Sequence, residues 1–230
     1  MTKSTIATIL GDPPLNTRFL QDEKAVNAWK NFIQAEGLNL NQENQFAKYF
    51  ELLITWNQEM DLTAITNPVD IIAYHFQDSA RIDRFIDFKK INLIADVGSG
   101  AGFPGIPLLI KYPHLQAMLI EVSKKRLSFL QKVIDELCLE NAILYDSDWR
   151  TFLRKTAEPV QLIICRASLH TDELMRMFKP GSPYKHAKLV YWASKDWQIG
   201  PIEQPFFVKE VEYSIKNKRR RYIFFALKSQ

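Results

Sequence analysis

The chain has 230 residues, 47% of them hydrophobic, and a net charge of +4. That is enough apolar material for one large domain, or one domain with an extension, and excludes a disordered polyelectrolyte. The two cysteines, Cys138 and Cys165, give neither a disulfide framework nor a metal spacing, and no run approaches the ~18 apolar residues of a membrane span, so a cytoplasmic protein with reduced cysteines in apolar surroundings and no metal is expected.

Residues 1–21 read as a flexible leader. Asp12-Pro-Pro-Leu15 superficially matches a motif of amino-methylating enzymes, but no strand precedes it and Leu15 has no stacking face. Residues 22–88 read as a helical extension. Val26, Trp29, Phe32 and Ile33 share one face of a first helix that Gly37 stops, and Phe46, Tyr49, Phe50, Leu53 and Trp56 line one face of a second. These aromatics suit packing better than base stacking, because large apolar rings are more often buried than displayed. After Pro68 a further helical stretch carries His75 and Asp78 at a spacing that places them on one face, and His75 reads as a structural histidine.

Residues 89–230 read as an α/β unit. Leu93-Ile-Ala-Asp-Val97 is a short apolar run typical of a buried parallel strand. The loop after it holds Gly98, Gly100, Gly102 and Gly105, four of the chain's eight glycines, and Pro104 and Pro107 suit the first turn of a following helix. Strand, glycine loop and helix together present free N–H groups to a ligand. A dinucleotide fingerprint needs a glycine where Phe103 stands. The spacing D-x-G-x-G-x-G instead resembles the first motif of S-adenosylmethionine-dependent methyltransferases, and Asp96 suits a ligand with an ammonium and a sulfonium. Asp96, Gly98, Ser99, Gly100, Gly102 and Phe103 are the loop candidates.

The strand 116–121 ends in Glu121, an acid placed to accept hydrogen bonds from ribose hydroxyls. Ser123 is a candidate cap for the next helix, whose first turn carries Lys124, Lys125 and Arg126. Three cations there oppose the helix dipole and point to an anion. A third strand, 142–145, leads to Trp149 and Arg150, where an adenine ring can be gripped. A fourth, 160–165, leads to Arg166 at its carboxyl end, where open α/β sheets place their ligands. Leu189-Val-Tyr-Trp192 is a fifth, followed by Lys195. Residues 206–213 and 221–227, joined by a basic turn at 216–220, read as a terminal hairpin. Between 205 and 230 seven basic residues face only Glu210 and Glu212, an excess greater than the whole chain's +4, which points to a polyanion such as nucleic acid.

Taken in order, Leu52-Leu-Ile-Thr-Trp-Asn57, Asp61-Leu-Thr63, His75-Phe-Gln-Asp-Ser79, the loop ending in Phe103-Pro-Gly-Ile-Pro107, Lys125-Arg126 and Arg166-Ala167 resemble the glucose-inhibited division protein B family of bacterial 16S ribosomal RNA guanine N-7 methyltransferases. The resemblance implies a Rossmann-like, seven-stranded methyltransferase sheet with a terminal β-hairpin. It implies S-adenosylmethionine as cofactor, 16S ribosomal RNA or the small ribosomal subunit as partner, and a monomer that does not engage membrane. It places Gly98, Phe103, Trp149, Arg150 and Arg166 at cofactor contacts and Lys125, Arg126 and Lys195 facing RNA. Arg166 is then a positioning group, and no general base is needed, since guanine N-7 carries a lone pair and no proton. Four stretches depart from the family pattern: Tyr74 replaces a common Arg, the cation after the second strand follows Val122-Ser123-Lys124 instead of Ser-x-Gly, Asp148 and Arg150 exchange the charges of Ser-Arg-x-Glu, and Asp196 replaces a glycine. Those departures keep a divergent, weakly active binding protein of the same fold as the alternative.

Overall fold

The computed structural model describes residue 20 and residues 22–166 and 170–227; the rest of the leader, residues 167–169 with Ala167, and the last three residues lie outside the described residues. Seven strands form one sheet in the order β3-β2-β1-β4-β5-β7-β6. β1 (Leu93–Val97), β2 (Gln116–Glu121), β3 (Ala142–Asp146), β4 (Leu162–Cys165) and β5 (Lys188–Ala193) are parallel, and β7 (Lys218–Phe225) pairs antiparallel with β5 and with β6 (Phe207–Ile215). This is the methyltransferase sheet that the resemblance implies.

The strands alternate cleanly between two cores, as a two-residue side-chain period requires. Leu93, Ala95 and Val97 face one cluster with Phe152 and Phe178, while Ile94 shares the other with Phe46, Phe76 and Phe129. On the first face lie α7 (Trp149–Lys155) and α8 (Thr171–Leu174) with its 3-10 continuation Met175–Phe178. On the other lie α5 (Gly105–Lys111), α6 (Lys124–Leu137) and the amino-terminal helices α1 (Glu23–Glu36) and α2 (Leu40–Met60).

The amino-terminal helices complete that second face chemically as well as sterically. The last carbonyls of a helix have no intrahelical donor. The Gln42 side-chain amide donates to Ile110 O and Lys111 O, each at 3.0 Å, and Gln45 donates to Leu137 O at 2.9 Å, so α2 caps both α5 and α6. Gly37 stops α1 in the left-handed region at φ 62°, and Asn39 and Gln42 form a capping box for α2. The aromatic stripe of α2 is packed, not displayed: Phe46, Tyr49, Phe50 and Leu53 are buried.

The stretch after Asn67 departs from a plain helix. α3 (Pro68–Ile71) runs into a π turn over Ile72–Gln77, then α4 (Asp78–Ala80) and a 3-10 turn at Arg81–Arg84. Widened turns of this kind insert a residue and redirect the side chains beyond it. Three sequence expectations are corrected. The hairpin turn is only Lys216 and Asn217, so Lys218, Arg219 and Arg220 belong to β7. Cys138 is exposed because it occupies the left-handed cap of α6 at φ 52°, whereas Cys165 is buried. Ser123 makes no side-chain cap; its N–H is taken by Glu121 instead.

Candidate functional site

The glycine loop leaves β1 with Gly98, Gly100 and Gly102 all at positive φ. It is tied to β2, because Gly98 N and Ser99 N both donate to Ile120 O at 3.0 and 3.1 Å, and it folds on itself through Gly102 N and Phe103 N, which donate to Ser99 O. Asp96 lies beneath, fully buried, with Oδ2 accepting from Gly105 N at 2.9 Å at the start of α5. A Cβ at Gly105 would stand 2.6 Å from that same oxygen and 2.6 Å from Leu119 Cδ2, which is why the Phe-Pro-Gly-Ile-Pro run has glycine at its centre. A Cβ at Gly102 would meet Ile106, Tyr49 and Leu130, whereas one at Gly100 meets only Gly98 O, at 3.8 Å. Gly102 and Gly105 therefore serve packing, whereas Gly100 has room beside it.

Glu121 closes the loop from the end of β2. Its Oε2 accepts from Gly100 N at 2.9 Å, and its Oε1 from Val122 N and Ser123 N at 3.0 and 2.9 Å. Of the cations at the start of α6, Lys124 pairs with Asp146 and Arg126 stands 3.8 Å from Glu121, which offsets much of the dipole penalty. Lys125 is exposed and, among the described residues, makes no ion pair.

The turn after β3 is fixed by its own helix cap. Asp148 caps α7, accepting from Arg150 N and Thr151 N at 2.9 and 3.0 Å and from Thr151 Oγ1 at 2.7 Å. The Thr151 hydroxyl, with these amides, holds its carboxyl below the usual range. The Trp149 indole is buried in the first-face core, and the Arg150 guanidinium lies 4.6 Å over it and bonds Glu173. Both residues line a groove between α7 and the segment that follows α8.

Arg166 leaves β4 into a cluster that sequence reading only partly found. Its guanidinium donates to Tyr74 O and to Ser79 Oγ, lies 3.6 Å from Asp78 Oδ2, and stands 5.9 Å over the Phe103 ring. His75 stacks flat on Phe103, centroids 4.4 Å apart and planes 9° from parallel. Arginine offers only donors, so His75 Nδ1, 3.3 Å from Arg166 Nη2, is the acceptor, and Nε2 carries the proton toward Thr63 Oγ1 at 2.8 Å. Asn57 holds Thr63 through both its backbone groups. Asp78, fully buried, also accepts from the Tyr213 hydroxyl at 2.6 Å, and burial drives that phenol strongly up. The motifs around Asn57, Thr63 and His75–Ser79 thus converge on one arginine. The signal for them was the motif order; the π turn that aims Tyr74 O and His75 inward has no sequence signature.

Lys195 is exposed on the loop after β5, which Arg221 clasps by donating to the carbonyls of Ser194, Lys195 and Trp197. The structure therefore brings the loop candidates, Glu121 and Arg166 together at the carboxyl ends of β1, β2 and β4, with Lys125 and Arg126 beside them; Trp149 shares the first-face core with Val97 and Ile120, and Arg150 turns to Glu173.

Two buried groups give the site opposed pH dependences. Burial pushes Asp96 up to about 7, against the hydrogen bond from Gly105, so the stability its proton confers is full at low pH and lost as pH rises toward 7. Burial, with Arg166 and Arg220 nearby, pushes His75 down to about 3, so its contribution is lost as pH falls from about 6.5 toward that value. The two slopes oppose one another between about pH 4 and 6.5. Asp96→Asn is expected to unmask the histidine, giving a stability that rises with pH across that window. Denaturant unfolding at several pH values checks this, and parallel profiles for the two proteins would contradict it.

Over residues 42–196 the chain matches the family described as rRNA small subunit methyltransferase G. It is 36% identical over 152 residues to the ribosomal RNA small subunit methyltransferase G of Bacillus licheniformis, covering 64% of each chain. To the protein of that name from Listeria innocua serovar 6a it is 37% identical over 203 residues, covering 80% of this chain and 85% of the relative. The chain thus spans just under two thirds of the first relative's length, at 64%. Among solved structures, the METTL16 MTase domain aligns with TM-score 0.55 and 14% identity over 89% of this chain and 91% of that one. An MtNAS mutant in complex with S-adenosylmethionine aligns at 0.57 and 13% over 90% and 89%. At such identities these two likenesses concern the fold alone.

Proposed function

The chain belongs to the rRNA small subunit methyltransferase G family, and from that premise we propose that it transfers the methyl group of S-adenosylmethionine to guanine N-7 in 16S ribosomal RNA. The observation that carries the reading is the meeting of the glycine loop with the Arg166, His75 and Phe103 cluster at the carboxyl ends of the parallel strands, where open α/β sheets bind ligands.

The residues present fit the cofactor. Gly100 leaves the loop open on its ligand side, and Glu121 supplies buried acceptors at the end of β2 for ribose hydroxyls. S-adenosylmethionine, when bound, supplies an electrophilic methyl on a positively charged sulfur. Guanine N-7 presents an in-plane lone pair, so attack needs alignment and exclusion of water, not proton removal. That suits a site whose one histidine is held neutral by burial, between Arg166 and Thr63, with no freedom to shuttle a proton. Arg166, fixed by Asp78, Ser79 and Tyr74 O, sets the depth and orientation of what lies against Phe103. Lys125, Arg126 and Lys195, exposed around this rim, meet the phosphates of an unpaired RNA segment.

The helical segment 22–88 acts as a brace for the unit 89–230, and the protein works as a cytoplasmic monomer; among the described residues no helix is long and apolar enough to cross a membrane. Titration calorimetry is expected to show one S-adenosylmethionine site, and the purified protein to label unmodified small-subunit RNA or particles from methyl-labelled cofactor. Cofactor binding without transfer to any ribosomal substrate would contradict the assignment.

A further inference from the structure

The cations that composition marks as a polyanion surface are largely used within the fold. Lys216 pairs with Asp70 at 2.6 Å, Arg221 with Glu210 at 3.0 Å and with the loop after β5, and Lys218 and Arg220 lie 4.3 and 6.0 Å over the Tyr74 ring. Tyr74 also donates to Asn217 at 2.8 Å. This explains the departure at position 74: an arginine there would face three cations of the hairpin, whereas tyrosine offers them its ring face.

A second basic surface lies elsewhere. Between α7 and the segment that follows α8 runs an open groove of about 520 Å³, walled by Arg150, Arg154, Arg176 and Lys179 over an apolar floor that includes Trp149 and Leu153. No carboxylate is among its lining residues. Of the acids beside it, Glu173 is engaged by Arg150 and Asp148 by the first amides of α7. Arg154, Arg176 and Lys179 are exposed, and among the described residues none of the three makes an ion pair. One end of the groove is the start of α7, directly after the ligand end of β3; the other is the segment leading into β5.

We propose that this groove takes the phosphodiester backbone of the substrate RNA beyond the target nucleotide. The inference rests on the RNA-methylating reading above and adds a surface that the rim residues Lys125, Arg126 and Lys195 do not include. Charge complementarity commits it to a polyanion, since like charges crowded around a cleft with no acid repel one another until phosphates enter. The apolar floor suits the ribose and base faces of an unpaired strand, and arginine side chains match phosphate oxygens. The Asp148 to Arg150 exchange then acquires a purpose in this chain: the aspartate caps α7, and the arginine neutralises Glu173 at the groove mouth.

The test compares wild type with the triple variant Arg154→Gln, Arg176→Gln, Lys179→Gln, which leaves the loop, Glu121 and Arg166 untouched. Its counterpart is Lys24→Gln, Lys30→Gln, Lys89→Gln, which removes the same charge from exposed positions outside the groove. Binding of a fluorescein-labelled transcript of unmodified 16S ribosomal RNA is measured by anisotropy between 50 and 200 mM salt. Each lost single-strand phosphate contact flattens the slope of log affinity against log salt by about 0.7, so the groove variant is expected to be shallower by about 2, with cofactor affinity unchanged. The counterpart is expected to keep the wild-type slope. Equal slopes for groove variant and wild type, or equal losses in both variants, would overturn the inference. Wild-type protein that binds cofactor but not the transcript would overturn the RNA reading itself, a result distinguishable from failure of the groove alone.

Discussion

Arg166→Ala is expected to cost about 3–5 kcal/mol of stability, because truncation leaves Asp78 buried without its cation. The magnitude follows from burial. Asp78 is fully buried and the Arg166 side chain is 14% exposed, so neither partner is relieved by solvent. Asp78 Oδ1 keeps the Tyr213 hydroxyl, but Oδ2 has no hydrogen bond and depends on the guanidinium 3.6 Å away. In a chain of this size such a loss lowers the melting temperature by roughly ten degrees. The cycle of Arg166→Ala, Asp78→Asn and the double variant separates the pair from its surroundings. The double variant is expected to lose clearly less than the sum of the singles, since the second substitution removes the charge that the first leaves stranded. Strict additivity would show that the two residues act independently. Arg166→Lys, which keeps charge without the planar fork, is expected to hold Asp78 yet lose the simultaneous contacts with Tyr74 O, Ser79 and His75, and so to lower the rate of transfer more than the melting temperature.

Gly102→Ala and Gly100→Ala are expected to fail in different ways. At Gly102, φ is 94° and a Cβ would stand 2.6 Å from Ile106 Cγ1 and 2.8 Å from the Tyr49 hydroxyl, which itself donates to Ala101 O. Backbone strain of about 1–3 kcal/mol and overpacking of similar size add at that site, enough to unfold the loop before any ligand is considered. At Gly100, φ is 61° and the added methyl meets only Gly98 O, so the structural cost is roughly 1–2 kcal/mol. On the proposed reading of the loop, its methyl enters the space the cofactor takes. Thermal unfolding and cofactor titration on both variants distinguish the roles: a large drop in melting temperature for Gly102→Ala, and a largely folded protein with weakened S-adenosylmethionine binding for Gly100→Ala. Equal behaviour of the two would mean that the loop does not divide into an inner and an outer glycine.

Much of this was legible in the sequence because it rested on local patterns. The strand Leu93–Val97, the glycine spacing after it and the acid Glu121 follow from period and position, and they meet where parallel sheets bring strand ends together. The roles of Asp148 and Arg150 were not legible. As a row of charges they read as an inverted cofactor contact, and what the row does not reveal is that Asp148 caps α7 while Arg150 reaches across to Glu173 over the Trp149 ring, which depends on where α7 begins. The same holds for Tyr74, whose partners lie on a hairpin far along the chain, and for Gln42 and Gln45, which cap helices across the core. The internal partners of the basic cluster at 216–221 were hidden for a related reason. Its charges are close in sequence but alternate sides along β7, and several turn inward onto Tyr74, Glu210 and loop carbonyls.

The central claim is that the site methylates guanine N-7 in small-subunit RNA. Its most direct test is to incubate the purified protein and S-adenosylmethionine with unmodified 16S ribosomal RNA or small subunits, digest the RNA to nucleosides, and identify the product. A single 7-methylguanosine, mapped to one unpaired position and absent with Gly100→Ala, is the predicted result. Methyl groups on another base or another atom, or none with the cofactor bound, would contradict it.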